Sequence, residues 1–300
     1  MLFAVTGGKG GVGKSTVATA LAFHLAKRSK VLLLDLDAEC PNDHLILGME
    51  MKKIGEVETM IPEFDYGACQ KCGRCSRVCR EHAILFVKGK YPILIPEQCI
   101  GCKACELACP ANAITEGTRT IGEILLGRKG NLTLLAGRVK PGVEESSMVV
   151  NAVKRRADFE GYDYVFIDTA AGTHCSVISA LLGCDVALAV TEPTPLGSHD
   201  LELILKLTRK LGIKSYVVIN KAGVGDERLI ERVVKRYRTS VIARIPYSRE
   251  IEKRYVEGKP VIHEAIENLA ERLPTTPNPQ RLPQPSVKRG AVHVARSAIV

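Results

Sequence analysis

Aromatic side chains are scarce in this sequence, which has no tryptophan, six phenylalanines and eight tyrosines among its 300 residues. Proteins that bind single-stranded nucleic acid combine basic residues with aromatic rings on which the bases stack. No basic stripe interleaved with aromatic residues occurs here, although the formal net charge is +9. We therefore expect no nucleic-acid partner.

Long apolar runs are also missing. A helix needs about 20 consecutive apolar residues to span a bilayer, and no stretch of the sequence approaches this length. The apolar run Leu2–Val5 leads directly into a glycine-rich loop, without the basic leader or cleavage site of a secretory signal. We therefore expect a cytoplasmic protein with no membrane partner. In a reducing compartment its 11 cysteines favour metal binding over disulfides.

Two segments account for much of the positive charge. The C-terminal segment 273–300 contains four basic residues and no acid. The span Cys69–Cys109 contains seven lysines and arginines against three glutamates, a net charge of +4. Five prolines between positions 273 and 285 predict that the tail 273–300 is disordered.

Apolar, β-branched runs alternate with helical patterns along most of the chain. Strands are predicted at Leu2–Thr6, Val31–Leu36, 131–136, Tyr164–Thr169, Val186–Thr191, 215–220 and 241–245. Helices are predicted at 14–27, 146–156, 198–210, 226–237, 249–257 and 260–272. Near-continuous apolar strands separated by helices are typical of a parallel sheet covered on both faces. The fold class predicted for residues 1–62 and 117–272 is therefore a doubly wound, mostly parallel α/β sheet.

The alternation stops between about positions 61 and 118, where eight of the cysteines lie. This segment is too long for an ordinary connection. It also repeats itself with a period of thirty residues. The repeated pairs are Cys69 and Cys99, Cys72 and Cys102, Cys75 and Cys105, and Cys79 and Cys109. We predict an inserted small α+β domain at 63–116.

Each half of the repeat has the spacing C-x₂-C-x₂-C-x₃-C, and Pro110 follows the last cysteine. Bacterial ferredoxins that hold two 4Fe–4S clusters have this pattern, in which the fourth cysteine of each run ligates the other cluster. The predicted ligands of the first cluster are Cys69, Cys72, Cys75 and Cys109. Those of the second are Cys79, Cys99, Cys102 and Cys105. Zinc is the alternative, since it can use C-x₂-C pairs, but a tetrahedral zinc site needs two such pairs rather than two quartets. Arg80 stands where the first run would have its proline.

A phosphate-binding loop lies near the N-terminus, between a predicted strand and a predicted helix. Residues 8–15 read GKGGVGKS, which matches G-x-x-x-x-G-K-[ST]. In such loops the backbone N–H groups and the lysine hold phosphates, and the serine hydroxyl ligates Mg²⁺. The predicted nucleotide-binding residues here are Gly8, Lys9, Gly10, Gly11, Val12, Gly13, Lys14, Ser15 and Thr16. A chance glycine-rich turn is the alternative.

The form KGGVGKS resembles the deviant Walker A motif of the MinD/ParA/nitrogenase-iron-protein class of ATPases. The resemblance implies that Lys9 reaches the nucleotide of a partner subunit, so that an ATP-dependent homodimer encloses the nucleotide. LDLD at 34–37 resembles switch I, and VFIDTAAG at 165–172 resembles Walker B and switch II. The implied catalytic residues are Lys9, Lys14, Asp37 and Asp168, and the implied Mg²⁺ site is Ser15, Asp35 and Asp168. Asp37 would position the attacking water. Taken alone, Asp35 and Asp37 also fit turn residues that cap a helix.

The base is predicted to be adenine. Asn220 and Lys221 begin a guanine-reading N-K-x-D motif, but position 223 is glycine instead of the acid. The family resemblance places Asn220 and the turn Pro246–Tyr247 around adenine. ATP is therefore the expected nucleotide.

Three cysteines lie outside the repeat. We expect Cys40 and Cys184 to be small buried side chains. Cys175 follows Asp168 at the offset at which the nitrogenase iron protein has a ligand of a cluster shared between subunits. No cysteine occurs at 127–150 to act as the second ligand. For Cys175 we therefore favour a buried structural thiol over cluster ligation.

Taken whole, residues 1–272 resemble MinD-superfamily ATPases that contain an inserted ferredoxin domain. The resemblance implies ATP, Mg²⁺ and two 4Fe–4S clusters as cofactors. The predicted function is ATP-gated electron transfer or redox-linked regulation with a redox partner protein. An iron–sulfur cluster assembly or carrier ATPase with a cluster-acceptor partner is the alternative. A MinD-like positioning ATPase is a third, less favoured function.

Overall fold

The chain forms two compact units in a computed structural model that describes residues 1–143 and 146–274. The larger unit contains Met1–Ile54, Ile124–Arg138 and residues 146–274. The smaller unit contains Gly55–Glu123 and residues 139–143, so it exceeds the predicted segment 63–116 at both ends. The predicted disordered tail lies, from position 275 onward, outside the described residues.

The strands of the described residues fall into one large and one small sheet. Their bounds are β1 Leu2–Thr6, β2 Val31–Leu36, β3 Lys52–Phe64, β4 Ile84–Leu85, β5 Ile93–Leu94, β6 Ile114–Lys129, β7 Leu132–Val139, β8 Tyr164–Thr169, β9 Val186–Thr191, β10 Lys214–Ala222 and β11 Val241–Pro246. The large sheet has the order β11-β10-β9-β1-β8-β2-β7-β6-β3. The small sheet pairs β4 with β5 in antiparallel fashion.

Parallel pairing in the centre of the large sheet brings the chemically important strand ends together. Strand β1 lies between β8 and β9 and is parallel to both, and β2 is parallel to β7 and β8. In this register Asp168 is the partner of Asp35 on one side and of Val5 on the other. The carboxyl ends of parallel strands are where open α/β sheets bind ligands.

Helices connect most of the strands. Their bounds are α1 Lys14–Leu25, α2 Asp43–Leu47, α3 Arg74–Val78, α4 Ala104–Leu107, α5 Ser147–Arg156, α6 Cys175–Leu181, α7 Pro195–Lys210, α8 Glu227–Tyr237, α9 Arg249–Val256 and α10 Glu264–Glu271. The strands β1, β2 and β9 are buried along their whole length, as a sheet covered on both faces requires. Within residues 1–143 and 146–274, no helix has the length and apolar character needed to cross a membrane.

The predicted mostly parallel α/β sheet is confirmed. Four strands have the predicted bounds, namely Leu2–Thr6, Val31–Leu36, Tyr164–Thr169 and Val186–Thr191. The long strands β3 and β6 were not predicted, because polar residues at partly exposed positions interrupt their apolar residues. The short helices α2 and α6 were also not predicted.

The smaller unit repeats its backbone conformation with the sequence period. Left-handed residues occur in pairs thirty positions apart, at Lys71 and Gly101, Gly73 and Lys103, and His82 and Asn112. The turns agree as well, since Cys79 N–H donates to the Ser76 carbonyl and Cys109 N–H donates to the Glu106 carbonyl. Two half-units of the same fold therefore present their cysteines in the same way.

Candidate functional site

The phosphate-binding loop joins β1 to α1 and has a conformation that requires glycine at its end. Gly13 has φ of +97°, and an added Cβ there would lie 2.2 Å from Asn220 Nδ2. Asn220 occupies this place because its amide donates to the Val12 carbonyl at 2.8 Å. The predicted adenine residue Asn220 and the loop are thereby brought together by a single hydrogen bond.

Lys14 lies beside the carboxylates with which it was predicted to act. Its side chain is buried, and its Nζ donates to the Lys9 carbonyl at 3.3 Å. Burial lowers the pKa of Lys14, while Asp168 and Asp37 act in the opposite direction. When a nucleotide binds, the Lys14 ammonium group can donate to a phosphate oxygen instead of to this loop carbonyl.

Lys9 is paired within its own chain. Its Nζ lies 2.6 Å from Glu192 Oε1, and Lys221 Nζ lies 3.2 Å from the other oxygen of Glu192. Lys221 also donates to the Gly11 carbonyl at 3.2 Å. Burial raises the pKa of Glu192, but the hydrogen bonds from Lys9 and Lys221 outweigh it and the net pKa is lowered. Sequence reasoning missed Glu192 and Lys221 as parts of the site.

Three buried carboxylates form a cluster at the site. One oxygen from each of Asp35, Asp43 and Asp168 lies within 4.8 Å of the others, and all three residues are buried. Asp35 accepts hydrogen bonds from the backbone N–H groups of Asp37 at 3.2 Å and Asp43 at 3.1 Å. Asp35 and Asp168 were predicted to lie near Mg²⁺, whereas Asp43 was not predicted.

The charges of this cluster depend on its surroundings. Burial raises the pKa of Asp168 to about 7, although contacts with Ser15 and Lys14 lower it. Burial also raises the pKa of Asp35 and Asp43, and the neighbouring carboxylates add to this effect. Oxygen ligands of this kind suit Mg²⁺, and the contact between Ser15 and Asp168 brings the predicted hydroxyl ligand to the same place. The residues present therefore fit a magnesium ion.

Asp37 lies apart from that cluster and is less buried. Burial raises its pKa, and the charge of Lys14 opposes the shift. Asp37 is therefore close enough to Lys14 for the two charges to interact. The role of Asp37 in positioning the attacking water stays a prediction.

The predicted adenine turn adjoins the same end of the sheet. Pro246 is the register partner of Ala222, two residues after Asn220. Tyr247 is 54% exposed, and its hydroxyl donates to Glu252 at 3.0 Å. An exposed aromatic ring next to a proline offers a flat surface to a base.

The eight repeat cysteines of the smaller unit surround two separate cavities. All eight are free thiols. The first cavity is bordered by Cys69, Cys72, Cys75 and Cys109. The second is bordered by Cys79, Cys99, Cys102 and Cys105. The structure thus brings together the same two quartets that the sequence predicted, each completed by the fourth cysteine of the other run.

The environment of these thiols suits a soft, cationic group. Cys75 and Cys105 are buried with Ile84 and Ile114 in an apolar cluster. Burial raises the pKa of Cys105 to about 11 and also raises the pKa of Cys75. Thiolates in such a place need positive charge, which the iron ions of a cluster supply. The Ala113 N–H also donates to Cys109 Sγ at 3.2 Å, an interaction that tunes cluster potentials in iron–sulfur proteins.

The three other cysteines differ from expectation in two cases. Cys184 is buried, as predicted. Cys40 and Cys175 are exposed, so the prediction of burial is wrong for both. Cys40 lies in a turn after the buried strand β2, and Cys175 begins the helix that follows the buried strand β8. Both positions are at the protein surface. Gly172, between Asp168 and Cys175, has φ of +90°.

Comparisons with known proteins agree with this geometry. The profile of the CobQ/CobB/MinD/ParA nucleotide binding domain matches residues 3–261. An uncharacterized protein of Methanocaldococcus jannaschii is 34% identical over 275 residues, which cover 91% of this chain and 96% of the relative. The cytosolic Fe-S cluster assembly factor Nubp2 homolog of Drosophila pseudoobscura pseudoobscura is 26% identical over 229 residues, with 73% of this chain and 68% of the relative covered.

Solved structures with the same fold include two archaeal proteins. The cell division ATPase MinD of Pyrococcus furiosus has a TM-score of 0.57 and 21% identity, with 90% of this chain and 97% of that chain covered. The septum site-determining protein MinD of Pyrococcus horikoshii, complexed with Mg-ADP, has a TM-score of 0.57 and 19% identity, with 90% and 94% covered.

Proposed function

Since this chain belongs to the CobQ/CobB/MinD/ParA nucleotide-binding domain family, we propose that it couples its nucleotide state to two 4Fe–4S clusters held by the same polypeptide. It is a P-loop ATPase of the MinD/ParA kind. The proposed coupling serves ATP-gated electron transfer or redox-linked regulation. The partner is a redox protein.

The observation that carries this proposal is the grouping of the repeat cysteines. Two cavities, each bordered by four free thiols, occur in the same chain as a phosphate-binding loop with its carboxylates. Each quartet takes three cysteines from one run and one from the other, which is the ligand arrangement of two-cluster ferredoxins. The presence of the nucleotide site and the two cysteine quartets in one chain supports the proposal that they act together.

The hydrolytic roles follow from position. Lys14 and the loop N–H groups neutralise phosphate charge, and Ser15 with Asp35 and Asp168 holds Mg²⁺, which stabilises charge on the transferred phosphoryl group. Asp37 aligns the attacking water. Lys9 leaves Glu192 to reach the nucleotide of the partner subunit in an ATP-dependent homodimer. In phosphoryl transfer, positioning and charge neutralisation supply most of the catalysis.

Chain connectivity gives nucleotide state a covalent link to the cysteines. Switch I ends near Asp37, and the chain continues through α2 into β3, within which it passes into the smaller unit. It returns within β6. We infer that movement of switch I on hydrolysis reaches the residues that precede Cys69 through this backbone connection.

Iron–sulfur cluster assembly is the second candidate function. It is favoured by the similarity to the Nubp2 homolog, whose name describes a cytosolic Fe-S cluster assembly factor. An assembly factor releases its cluster to an acceptor, whereas an electron carrier keeps it through many redox cycles. Retention of clusters after incubation with an apo-ferredoxin acceptor and ATP therefore separates the two functions.

The basic experiment is anaerobic purification followed by iron and sulfide analysis and measurement of ATPase rates in oxidised and reduced protein. We expect about eight iron and eight sulfide per chain and different ATPase rates in the two redox states. Cys184→Ser, which changes a buried thiol of the larger unit, is the control for thiol replacement. Stoichiometric zinc without iron would refute the cluster assignment.

A further inference from the structure

Asp43 is a buried carboxylate for which the ATPase motifs give no role. It is the first residue of α2 and is 0% exposed. Neither of its oxygens has a hydrogen-bond donor among residues 1–143 and 146–274. The side chain within hydrogen-bonding range is the carboxylate of Asp168, so without a cation the pair is satisfied only while Asp43 keeps a proton and donates it to Asp168. A buried carboxylate that lacks both a donor and a counter-charge is strongly unfavourable.

The neighbours of Asp43 form a set of converging oxygens. One oxygen from each of Asp35, Asp43 and Asp168 lies within 4.8 Å of the others. An oxygen of Asp168 also lacks a partner. Ligands that are each about 2.0–2.6 Å from one Mg²⁺ or Ca²⁺ ion are separated by no more than about 5 Å. The three side chains therefore already have the spacing of ligands around a single ion.

Asp35 is fixed in this arrangement by the backbone. Its two oxygens accept the N–H groups of Asp37 and Asp43, and each oxygen keeps a second lone pair for a cation. The hydrogen bond from Asp43 ties the start of α2 to the end of β2. This contact holds the Asp43 side chain next to the strand that carries Asp35.

The charge balance also calls for a divalent ion. Lys14 is the cation that acts on Asp168, whereas the charges that act on Asp43 are the carboxylates of Asp35, Asp168 and Asp37. When all three carboxylates are ionised, they and Lys14 together leave two negative charges in a buried site, which a divalent cation neutralises. Oxygen ligands without sulfur or imidazole select Mg²⁺, Mn²⁺ or Ca²⁺.

We propose that Asp43 joins Asp35 and Asp168 in a divalent-cation site of the magnesium class that forms without nucleotide. A nucleotide-dependent site uses phosphate oxygens to complete its ligands, whereas a third carboxylate supplies that negative charge from the protein. The ion is then in place before ATP arrives, and it joins the segment that follows switch I to the Walker B strand. This site deepens the proposed ATPase mechanism but is independent of the cysteine cavities.

The test is Mn²⁺ binding to the nucleotide-free full-length protein, followed by the EPR signal of the unbound ion. We expect one Mn²⁺ per chain in the wild type, displaced by Mg²⁺. Asp43→Asn keeps the shape of the side chain and is expected to weaken binding at least ~10-fold, the lower end of what even the outer partners of metal ligands contribute. Asp226→Asn, at the N-cap of α8, is the matched control and should bind as the wild type does. Absence of binding in the wild type, or unchanged binding in Asp43→Asn, would overturn the proposal.

Thermal unfolding provides a second readout that also shows whether each variant is folded. Added Mg²⁺ should raise the Tm of the nucleotide-free wild type, because an ion that binds only the folded state stabilises it. In the absence of Mg²⁺, Asp43→Asn should have a higher Tm than the wild type, because it removes the unpaired buried carboxylate. Its Tm should not rise when Mg²⁺ is added. Asp43→Ser is the second variant and should lose the Mg²⁺ response in the same way. If Mg-ATP binds to a wild type that shows no response to Mg²⁺ alone, the Asp43 site is wrong while the ATPase proposal stands.

Discussion

Lys9 Nζ and Glu192 Oε1 lie 2.6 Å apart within one chain. The family resemblance implies that Lys9 contacts the nucleotide bound in a partner subunit. Its side chain is 31% exposed and that of Glu192 is 11% exposed, so the pair is partly shielded from solvent. The proposed closure of the dimer must break this ion pair, and Glu192 therefore opposes closure until ATP offers a stronger partner.

Replacement of Glu192 should promote the dimer. Glu192→Gln keeps a hydrogen-bond acceptor but removes the charge, so we expect ATP-dependent dimerisation to become about two- to five-fold tighter, in the range of partly exposed ion pairs. Analytical ultracentrifugation with a non-hydrolysable ATP analogue measures this constant. Glu202→Gln, which removes the two ion pairs of Glu202 with Lys206 and Arg236, is the control. Equal dimerisation of the wild type and Glu192→Gln would rule out a restraining role for this contact.

Lys14 and Asp37 should have different kinetic effects. Lys14→Ala removes the charge that contacts ground-state phosphates, so ATP affinity should fall. Asp37→Ala should leave affinity within about two-fold and lower kcat by about 10²-fold or more, since an interaction made only in the transition state affects the chemical step. Fluorescent nucleotide titration and single-turnover hydrolysis separate the two effects. An equal loss of affinity in both variants would show that Asp37 does not act on the water.

The end of the phosphate-binding loop should not tolerate a side chain. Gly13→Ala combines a left-handed backbone with a Cβ placed 2.2 Å from Asn220 Nδ2. Gly223→Ala is matched in backbone, with φ of +86°, but its Cβ would meet nothing within 4 Å. We expect Gly223→Ala to lower the free energy of unfolding by about 1–2 kcal/mol and Gly13→Ala to lower it further and abolish ATP binding. Similar unfolding free energies for the two variants would mean that Asn220 moves aside without cost.

Loss of one cysteine should remove one cluster. Cys72→Ser and Cys102→Ser change equivalent positions of different quartets. Each should retain about half of the iron, and each should leave the larger unit able to bind ATP. Anaerobic iron analysis and EPR of the reduced protein measure the outcome. Full iron content in either variant would contradict the assigned ligand sets.

The sequence predicts the central sheet well because its strands are buried on both faces. Val31–Leu36 is apolar except for Asp35, and Val186–Thr191 is apolar up to its last residue, and the structure places both at the predicted bounds. Strands β3 and β6 contain polar residues at partly exposed positions, so no apolar run identifies them. Their pairing depends on neighbours that are distant in sequence.

The site was predictable only where a motif fixes both spacing and chemistry. The glycine loop and the cysteine runs specify their own local geometry, so the residues that belong together can be read from the sequence. Asp43 and Glu192 belong to no such pattern. Asp43 enters the site because α2 folds back to Asp35, and Glu192 enters because β9 ends beside the loop. Only tertiary structure brings them there.

The most direct test of coupling is a redox titration of the clusters, followed by EPR, with no nucleotide, with ADP and with a non-hydrolysable ATP analogue. Linkage requires that ATP shift the reduction equilibrium by the same factor by which reduction shifts ATP affinity. A coupling of about 1–3 kcal/mol, shared by two one-electron couples, corresponds to ~20–65 mV for each cluster. We predict a shift of this size with the ATP analogue, and its loss in Lys9→Ala even where nucleotide still binds. Midpoint potentials that agree in all three states, together with an ATP affinity that reduction leaves unchanged, would contradict nucleotide gating and favour cluster delivery.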